Sequence, residues 1–110
     1  KLSGLSGGEK SEAVRERVGR ARQVQSERFD GSTGHTNAEM TPPQVRDFAQ
    51  RQLADGAGDV LKLAVERLNL SARAFHRLLK VARTIADLAD SDGIETPHMA
   101  EAIQYRARIE

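Results

Sequence analysis

Hydrophobic residues along the chain recur every three or four positions, and this spacing is typical of amphipathic helices rather than strands. The predicted helices span about residues 9–29, 42–54, 59–68, 71–89 and 96–108. Only the residue pair Ile94–Glu95 resembles a short extended segment, and the chain contains no internal repeat. The pattern therefore predicts an all-α fold, a bundle of four to five helices.

Residues with N-capping side chains mark the starts of these predicted helices. Thr41-Pro42-Pro43-Gln44 combines a hydroxyl cap, prolines in the first turn and a glutamine at the third helical position. The other predicted starts are at Ser6 (with capping-box spacing to Glu9), Asp59, Ser71 and Thr96. We expect a linker over residues 1–8 and one helical domain over residues 9–110, with a flexible loop at residues 30–40.

The composition of the 110 residues fits one small domain with an aliphatic core. Hydrophobic residues make up 38% of the sequence and aromatic residues 4%, and there is no tryptophan. The absence of cysteine excludes disulfides and thiolate metal sites, and no apolar run approaches the roughly 20 residues that span a bilayer. We therefore expect a cytoplasmic protein without a membrane partner. Because the net charge is only +1, an anion site must come from local clustering of cations.

The stretch GLSGGEKS, residues 4–11, looks like two nucleotide-binding motifs. A P-loop needs glycine directly before its lysine, but here Glu9 precedes Lys10 and would place a carboxylate beside the phosphates. The LSGGE signature of ABC-type ATPases is followed here by a mostly charged helix, and the rest of such a domain has no room in this chain. We interpret the stretch as a glycine-rich linker that ends in a helix cap. Since the chain also lacks an initiator methionine, we expect it to be a piece of a larger protein.

The predicted helix at residues 71–89 has an unusual distribution of charge. Its apolar face, which we expect to be core, comprises Phe75, Leu78, Leu79, Ala82, Ile85, Ala86 and Ala89. The opposite face carries Arg73, Arg77, Lys80 and Thr84. Cations at a helix N-terminus and like charges at i,i+4 are both unfavourable, and Asp87 and Asp90 lie at the end where cations are preferred. A phosphate site at Arg73 and Arg77 would explain this reversal.

The same charges also have a purely structural interpretation, and the pattern alone leaves both open. Arg73 would then be solvated, and Arg83, which lies off the Arg73 line, would pair with Asp87 on the surface. The three histidines share no metal-ligand spacing, so no metal site is predicted. No arrangement of nucleophile and base supports catalysis by this chain alone.

The sequence LAVERLNLSARAFHRLLK, residues 63–80, is also typical of a helix-turn-helix DNA-binding module. Arg73, Arg77 and Lys80 would then face DNA. The second helix is longer than typical recognition helices and rich in core positions, which counts against this interpretation. A further alternative is an interaction bundle that docks partner helices through the thin apolar stripe of the first helix, formed by Val14, Val18, Ala21 and Val24.

Two long stretches resemble one protein family. LSARAFHRLLKVARTIADLADSDGIETPHMAEAIQYR (residues 70–106) and GEKSEAVRERVGRARQVQSERF (residues 8–29) resemble the C-terminal region of bacterial magnesium-chelatase-like AAA+ ATPases. The resemblance covers nearly the whole chain and is weakest over residues 30–40. It implies the helical lid domain of a larger ATPase, with Walker A, Walker B, sensor 1 and the arginine finger in an upstream part.

The resemblance also implies a role for Arg73, in the tripeptide SAR, as the sensor-2 arginine that reaches the γ-phosphate of ATP. It implies a homo-oligomeric ring, a hexamer, in which Arg73 serves the nucleotide of its own or a neighbouring subunit. ATP with Mg²⁺ would be bound mainly by the upstream AAA+ core, and the chain alone would be inactive as an ATPase. In the ComM-like branch, to which the helix sequence is more similar, the implied activity is DNA helicase and branch migration in competence and recombination. In the chelatase branch it is assistance of magnesium insertion into a porphyrin.

Overall fold

The computed structural model describes the backbone of residues 3–29 and 36–109, and it places side chains within residues 11–29 and 36–106. Five α-helices follow one another along the chain: α1 (Ser3–Arg28), α2 (Pro42–Phe48), α3 (Asp55–Leu68), α4 (Ala72–Leu88) and α5 (Thr96–Ile109). The predicted all-α bundle is confirmed. In the described part of the chain, no helix is both long and apolar enough to cross a membrane.

Two short 3₁₀ turns complete the architecture, one on each side of α2. The first, Asn37–Glu39, lies within the predicted loop, of which residues 30–35 fall outside the described residues. The second, Gln50–Gln52, follows α2. Within the described ranges there is no strand, and an isolated parallel bridge joins Leu53 to Ile94.

Two of the predicted N-caps are confirmed by their hydrogen bonds. The Thr41 hydroxyl accepts from the Gln44 N–H at 3.4 Å, and the Gln44 side chain accepts from the Thr41 N–H at 2.9 Å. The Ser71 hydroxyl accepts from the Ala74 N–H at 3.1 Å. Each cap satisfies an amide that has no partner inside its helix, so the local sequence is enough to start α2 and α4 at these points.

The chain between α2 and α3 differs from the prediction. The second predicted helix ends early and continues as a 3₁₀ turn, and α3 begins at Asp55, well before the predicted cap Asp59. The cause is a tertiary contact: the Ala54 N–H donates to the Ile94 carbonyl at 2.9 Å, and the Ile94 N–H donates to the Gln52 carbonyl at 2.8 Å. These bonds hold the connection extended, so α3 starts directly after it.

The core of the bundle is built around α4, which packs against α5, α1 and α2. The buried side chains of this core are Phe29, Met40, Val45, Ala49, Ala57, Leu61, Leu78, Leu79, Ala82, Ala86, Ile94, Met99 and Ala102. The predicted apolar face of α4 is buried or half-buried apart from Ala89, which is exposed because it is the C-cap residue. An edge-to-face pair of Phe29 and Phe48, with ring centroids 5.8 Å apart, links the end of α1 to α2.

Asp87 of α4 lies at the centre of a buried ionic cluster. Its carboxylate accepts hydrogen bonds from Arg28 Nη1 at 2.8 Å and Nη2 at 2.9 Å, and Arg83 Nη2 lies 3.1 Å away. Arg83 is only 2% exposed and also donates to three backbone carbonyls. The prediction that Arg83 and Asp87 pair on the surface is therefore wrong. Burial lowers the pKa of Arg83 below its ordinary value, and the carboxylate of Asp87 opposes that shift.

Asn37 extends this cluster to the first 3₁₀ turn. Its Nδ2 donates to Asp87 Oδ2 at 2.8 Å and to Thr84 Oγ1 at 3.1 Å, while its Oδ1 accepts from Arg28 Nη1 at 2.8 Å. Its backbone N–H donates to the Gln25 side chain at 3.0 Å. Polar contacts thus fasten the end of α1 and the 3₁₀ turn to the same part of α4.

Candidate anion-binding site

Arg73, the arginine that the resemblance assigns to a nucleotide, lies in the first turn of α4. Its side chain is exposed, and none of the ion pairs among the described residues involves it. The Ser71 cap satisfies the Ala74 amide, and the earlier amides of Ala72 and Arg73 have no acceptor inside the helix. This end of α4 therefore combines a guanidinium, two unbonded helix amides and the positive end of the helix dipole. A phosphate group fits such a site, and the role of Arg73 stays a prediction.

Arg77 lies one turn after Arg73 and is also exposed. It lines a cavity of about 190 Å³ between α4 and α5, together with Tyr105 and Arg106 of α5. The remaining lining residues are apolar: Ala74, Leu78, Val81 and Ala102. Arg77 thus lies between the start of α4 and an apolar groove, and its contact with a nucleotide stays a prediction.

The other two residues of the predicted polar face, Lys80 and Thr84, face the first 3₁₀ turn. Lys80 Nζ donates to the Ala38 carbonyl at 3.1 Å. The Thr84 hydroxyl donates to the Lys80 carbonyl at 3.1 Å and accepts from Asn37 Nδ2 at the same distance. Both side chains are half-buried. Because the turn lies against the middle of α4, the face that a recognition helix would present to base edges is free only at its start.

The acidic residues at the other end of α4 have a structural role that the charge pattern did not reveal. Asp87 is neutralised inside the buried cluster, and Asp90 adopts a positive φ of 59° just after the helix, 4.0 Å from Arg20 Nε. Sequence reasoning missed Arg28 and Asn37, which lie 59 and 50 residues from Asp87 and carry no local spacing signal. Tertiary contacts thus explain why acidic residues lie at the C-terminal end of α4. Contacts among the described residues do not explain why cations lie at its N-terminal end.

The histidines contribute to packing and capping. His98 Nδ1 accepts from the Glu95 N–H at 2.9 Å at the start of α5, and His76 packs beside Phe75 with ring centroids 5.7 Å apart. His35 lies outside the described residues. In the part of the chain that the structure describes, no three His, Cys, Asp or Glu side chains are grouped to hold a metal ion.

The glycine-rich stretch at residues 4–11 is helical. Because α1 begins at Ser3, the predicted cap at Ser6 is wrong: the chain is already helical there, whereas a cap residue has non-helical dihedral angles. Beyond the first turn of a helix, amides donate to carbonyls one turn earlier and cannot surround a phosphate, as those of a P-loop do. The backbone thus supports the interpretation that this stretch is not a nucleotide-binding loop.

The sequence matches a family model over most of its length. The model of the C-terminal domain of magnesium chelatase, subunit ChlI, matches residues 8–106. Competence protein ComM of Haemophilus influenzae is 44% identical over 103 residues, which are 93% of this chain. The uncharacterized protein YifB of Escherichia coli is 42% identical over 100 residues, or 91% of the chain, and an uncharacterized protein of Mycobacterium tuberculosis is 34% identical over 101 residues, or 90%. This chain spans 19% of the length of each of these relatives.

Proposed function

This chain belongs to the family of the C-terminal domain of magnesium chelatase, subunit ChlI, and we propose that it is the helical lid of a larger AAA+ ATPase. In this proposal Arg73 is the sensor-2 residue, and its guanidinium reaches the γ-phosphate of ATP. An AAA+ core elsewhere in the larger protein binds ATP with Mg²⁺ and contains the groups that hydrolyse it. This chain alone has no ATPase activity.

The observation that carries the proposal is the exposed, unpaired position of Arg73 at the electropositive start of α4. A cation at this position costs about 0.3–1 kcal/mol through the helix dipole. Repulsion from Arg77 at i,i+4 adds about 0.2–0.5 kcal/mol. The attraction of a bound phosphate would offset both contributions, because it acts on the guanidinium groups and the helix N-terminus alike.

The residues at this end of α4 supply binding and positive charge, while bond breaking belongs to the core. The planar guanidinium of Arg73 donates in a fork that matches two phosphate oxygens. The amides of Ala72 and Arg73 add positive potential, and Arg77 supplies a second cation one turn further on. When the γ-phosphoryl group passes to water, Arg73 stabilises the negative charge on its oxygens. After hydrolysis this contact is lost, and the lid is released from the core.

We propose further that the larger protein is a homo-oligomeric ring, a hexamer, that couples ATP hydrolysis to DNA remodelling through helicase activity and branch migration. The support is the 44% identity with Competence protein ComM together with the resemblance of α4 to the ComM-like branch. The partners of this chain are then its own AAA+ core and the neighbouring subunits, and the intact ring contacts DNA. A lid of a magnesium chelatase subunit is the second candidate, because the matching family model describes that subunit.

Replacement of Arg73 by alanine in the full-length protein tests the sensor assignment. We expect kcat for ATP hydrolysis to fall about 100-fold, because a cation that stabilises the developing charge is removed. Ring assembly, measured by mass photometry, should be unchanged, since the Arg73 side chain makes no described contact within the bundle.

Arg46→Ala is the matched control, because Arg46 is also exposed but lies on α2. Its ATP turnover should equal that of the unmodified protein. If the rate of ATP hydrolysis is unchanged in Arg73→Ala, Arg73 is not the sensor-2 residue. A mobility shift of duplex DNA by the 110-residue chain alone, lost steeply as salt rises, would favour the helix-turn-helix alternative instead.

A further inference from the structure

An open groove runs along α4 and α5. It consists of two cavities, of about 190 and 430 Å³, whose walls share Val81 and Tyr105. The α4 side carries apolar residues at spacings of four, three, four and three: Ala74, Leu78, Val81, Ile85 and Leu88. This is the heptad spacing with which one helix receives the apolar side chains of another.

The dimensions of the groove suit a helix better than a single side chain. Residues 74–85, before the end that α1 covers, span about 16 Å of helix axis at 1.5 Å per residue, which corresponds to about three turns. Leu78 is buried at the base of the groove, and Tyr105 on the opposite wall is 51% exposed. The groove therefore offers an apolar strip in which the half-buried Ala74, Val81, Ile85 and Leu88 lie along the buried Leu78.

One end of the groove is already covered by a helix of the same chain. Val14 and Val18 of α1 line a cavity of about 300 Å³ together with Ile85 and Leu88 of α4. This part of α1 is basic, and the end of the groove that it covers is acidic. Arg17 lines the same cavity as Glu101, and Arg20 lies 4.0 Å from Asp90. This surface thus receives a helix through two apolar residues at i,i+4, Val14 and Val18, and through pairs of opposite charge. The charged pairs are Arg17 with Glu101 and Arg20 with Asp90.

The opposite end of the groove has the reverse charge. Arg77 and Arg106 line the narrower cavity, and no acidic residue lines it among those that the structure describes. Lys80 lines the wider cavity beside them, and the acidic residue of that cavity, Glu101, also lines the cavity that α1 covers. At the other end, the basic part of α1 lies against acidic residues. By the same charge complementarity, a helix bound at this basic end would carry carboxylates.

We propose that this open part of the groove binds an acidic amphipathic helix of a partner protein. The partner places apolar side chains against Val81 and Ile85 and carboxylates against Arg77. The α1 helix of a second copy is less suited, because it contains six basic and four acidic residues. The site needs no nucleotide, so its test is separate from that of the role proposed for Arg73, although Arg77 belongs to both proposals.

A designed peptide tests this docking site directly on the 110-residue chain. The probe is an alanine-based helix of about 18 residues, a length of about 27 Å, with leucines at the heptad positions and glutamates beside them. It is titrated into the isotope-labelled chain, and affinity and location are read from NMR chemical shifts. One control peptide has its leucines shuffled off the common face, and a second has lysine in place of every glutamate.

We expect the acidic peptide to bind in the groove, with shifts centred on Val81 and Tyr105. Both control peptides should bind at least about 10-fold more weakly, which corresponds to about 1.4 kcal/mol. Arg77→Glu should weaken the acidic peptide and strengthen the lysine peptide, whereas Arg46→Glu on α2 should change neither. Tyr105→Ala provides a second groove variant at a largely exposed position, and circular dichroism checks that every variant is folded.

Several results would overturn the proposal. Equal binding of the lysine and glutamate peptides would show that charge does not select the partner. The absence of binding, or shifts confined to other surfaces, would show that the groove does not receive a helix. Self-association of the chain through Val81 and Tyr105 in sedimentation experiments would assign the groove to a second copy. Tighter binding of single-stranded DNA at the same residues would assign it to nucleic acid.

Discussion

The carboxylate of Asp87 joins three segments that are far apart in the sequence. It accepts from Arg28 of α1 and from Asn37 of the first 3₁₀ turn, and it pairs with Arg83 one turn earlier in α4. Its side chain is only 1% exposed. Without this negative charge, the buried guanidinium of Arg83 and the largely buried one of Arg28 would lose the carboxylate that they share, and a buried ionic cluster is most sensitive to the loss of one member.

Asp87→Asn is therefore expected to lower the free energy of unfolding by about 3–5 kcal/mol, measured by urea denaturation followed by circular dichroism. The control is Asp90→Asn, which removes a largely exposed ion pair with Arg20 at 4.0 Å. That change should lower stability by less than about 1 kcal/mol. Equal effects of the two substitutions would show that burial does not determine what these carboxylates contribute.

At the scale of elements, two glycines near the start of α3 have different surroundings. A Cβ at Gly58 would meet no other atom within 4 Å, whereas a Cβ at Gly56 would overlap Thr96 Oγ1 of α5. Glycine at position 56 thus lets the first turn of α3 approach the first turn of α5 closely. Glycine at position 58 has no such packing reason and only weakens the helix.

Gly58→Ala is expected to raise the free energy of unfolding by about 0.5–1 kcal/mol, because alanine restricts the unfolded chain and is the better helix former. Gly56→Ala should give a smaller gain, since Thr96 must change its side-chain rotamer to make room. Thermal unfolding of the two variants side by side measures the difference. An equal rise for both would mean that the close approach of α3 to α5 places no constraint on position 56.

At the scale of the whole molecule, the helices differ in how deeply their described residues are buried. In α4, residues 78–87 include all the buried positions of the helix, and α4 contacts α1, α2, α5 and the first 3₁₀ turn. In α1, residues 11–20 are all exposed except the half-buried Val18. Among the side chains of α1 that the structure describes, those in its later part hold it to the bundle, at Ala21 and Arg28, and Phe29 packs into the core directly after the helix.

Amide hydrogen exchange should therefore be slowest in the middle of α4 and fastest in the first half of α1. We expect protection factors at residues 78–87 to exceed those at residues 11–20 by at least about 100-fold, because the latter can open without unfolding the core. Exchange detected residue by residue by NMR would measure this. Similar protection in both segments would mean that α1 folds and unfolds together with the core.

Local sequence was sufficient where a signal and its effect lie within one helical turn. The caps at Thr41 and Ser71 and the apolar face of α4 were predicted from spacing alone, and the structure confirms them. The predicted starts of α1 and α3 were wrong. In α3 the bridge between Leu53 and Ile94, two residues far apart in the chain, fixed the boundary, and local propensity could not reveal it.

The candidate site divides in the same way. The exposed positions of Arg73 and Arg77 at the start of α4 agree with the helical spacing that singled them out. The turn that covers Lys80 and Thr84, however, comes from residues more than forty positions earlier. The cluster that neutralises Asp87 likewise depends on Arg28 and Asn37, whose contacts no spacing rule contains.

By itself, the sequence determined that this protein is helical, where α2 and α4 begin, which face of α4 is core and which arginines lie at its exposed start. These features follow from hydrophobic period and capping, which act over a few residues. Only the tertiary structure decided that Asp87 is buried between two arginines, where α3 begins and how the groove between α4 and α5 is charged at each end. These features depend on groups brought together by packing of the whole chain, and the chemistry of such groups is set by burial and distance rather than by their order in the sequence.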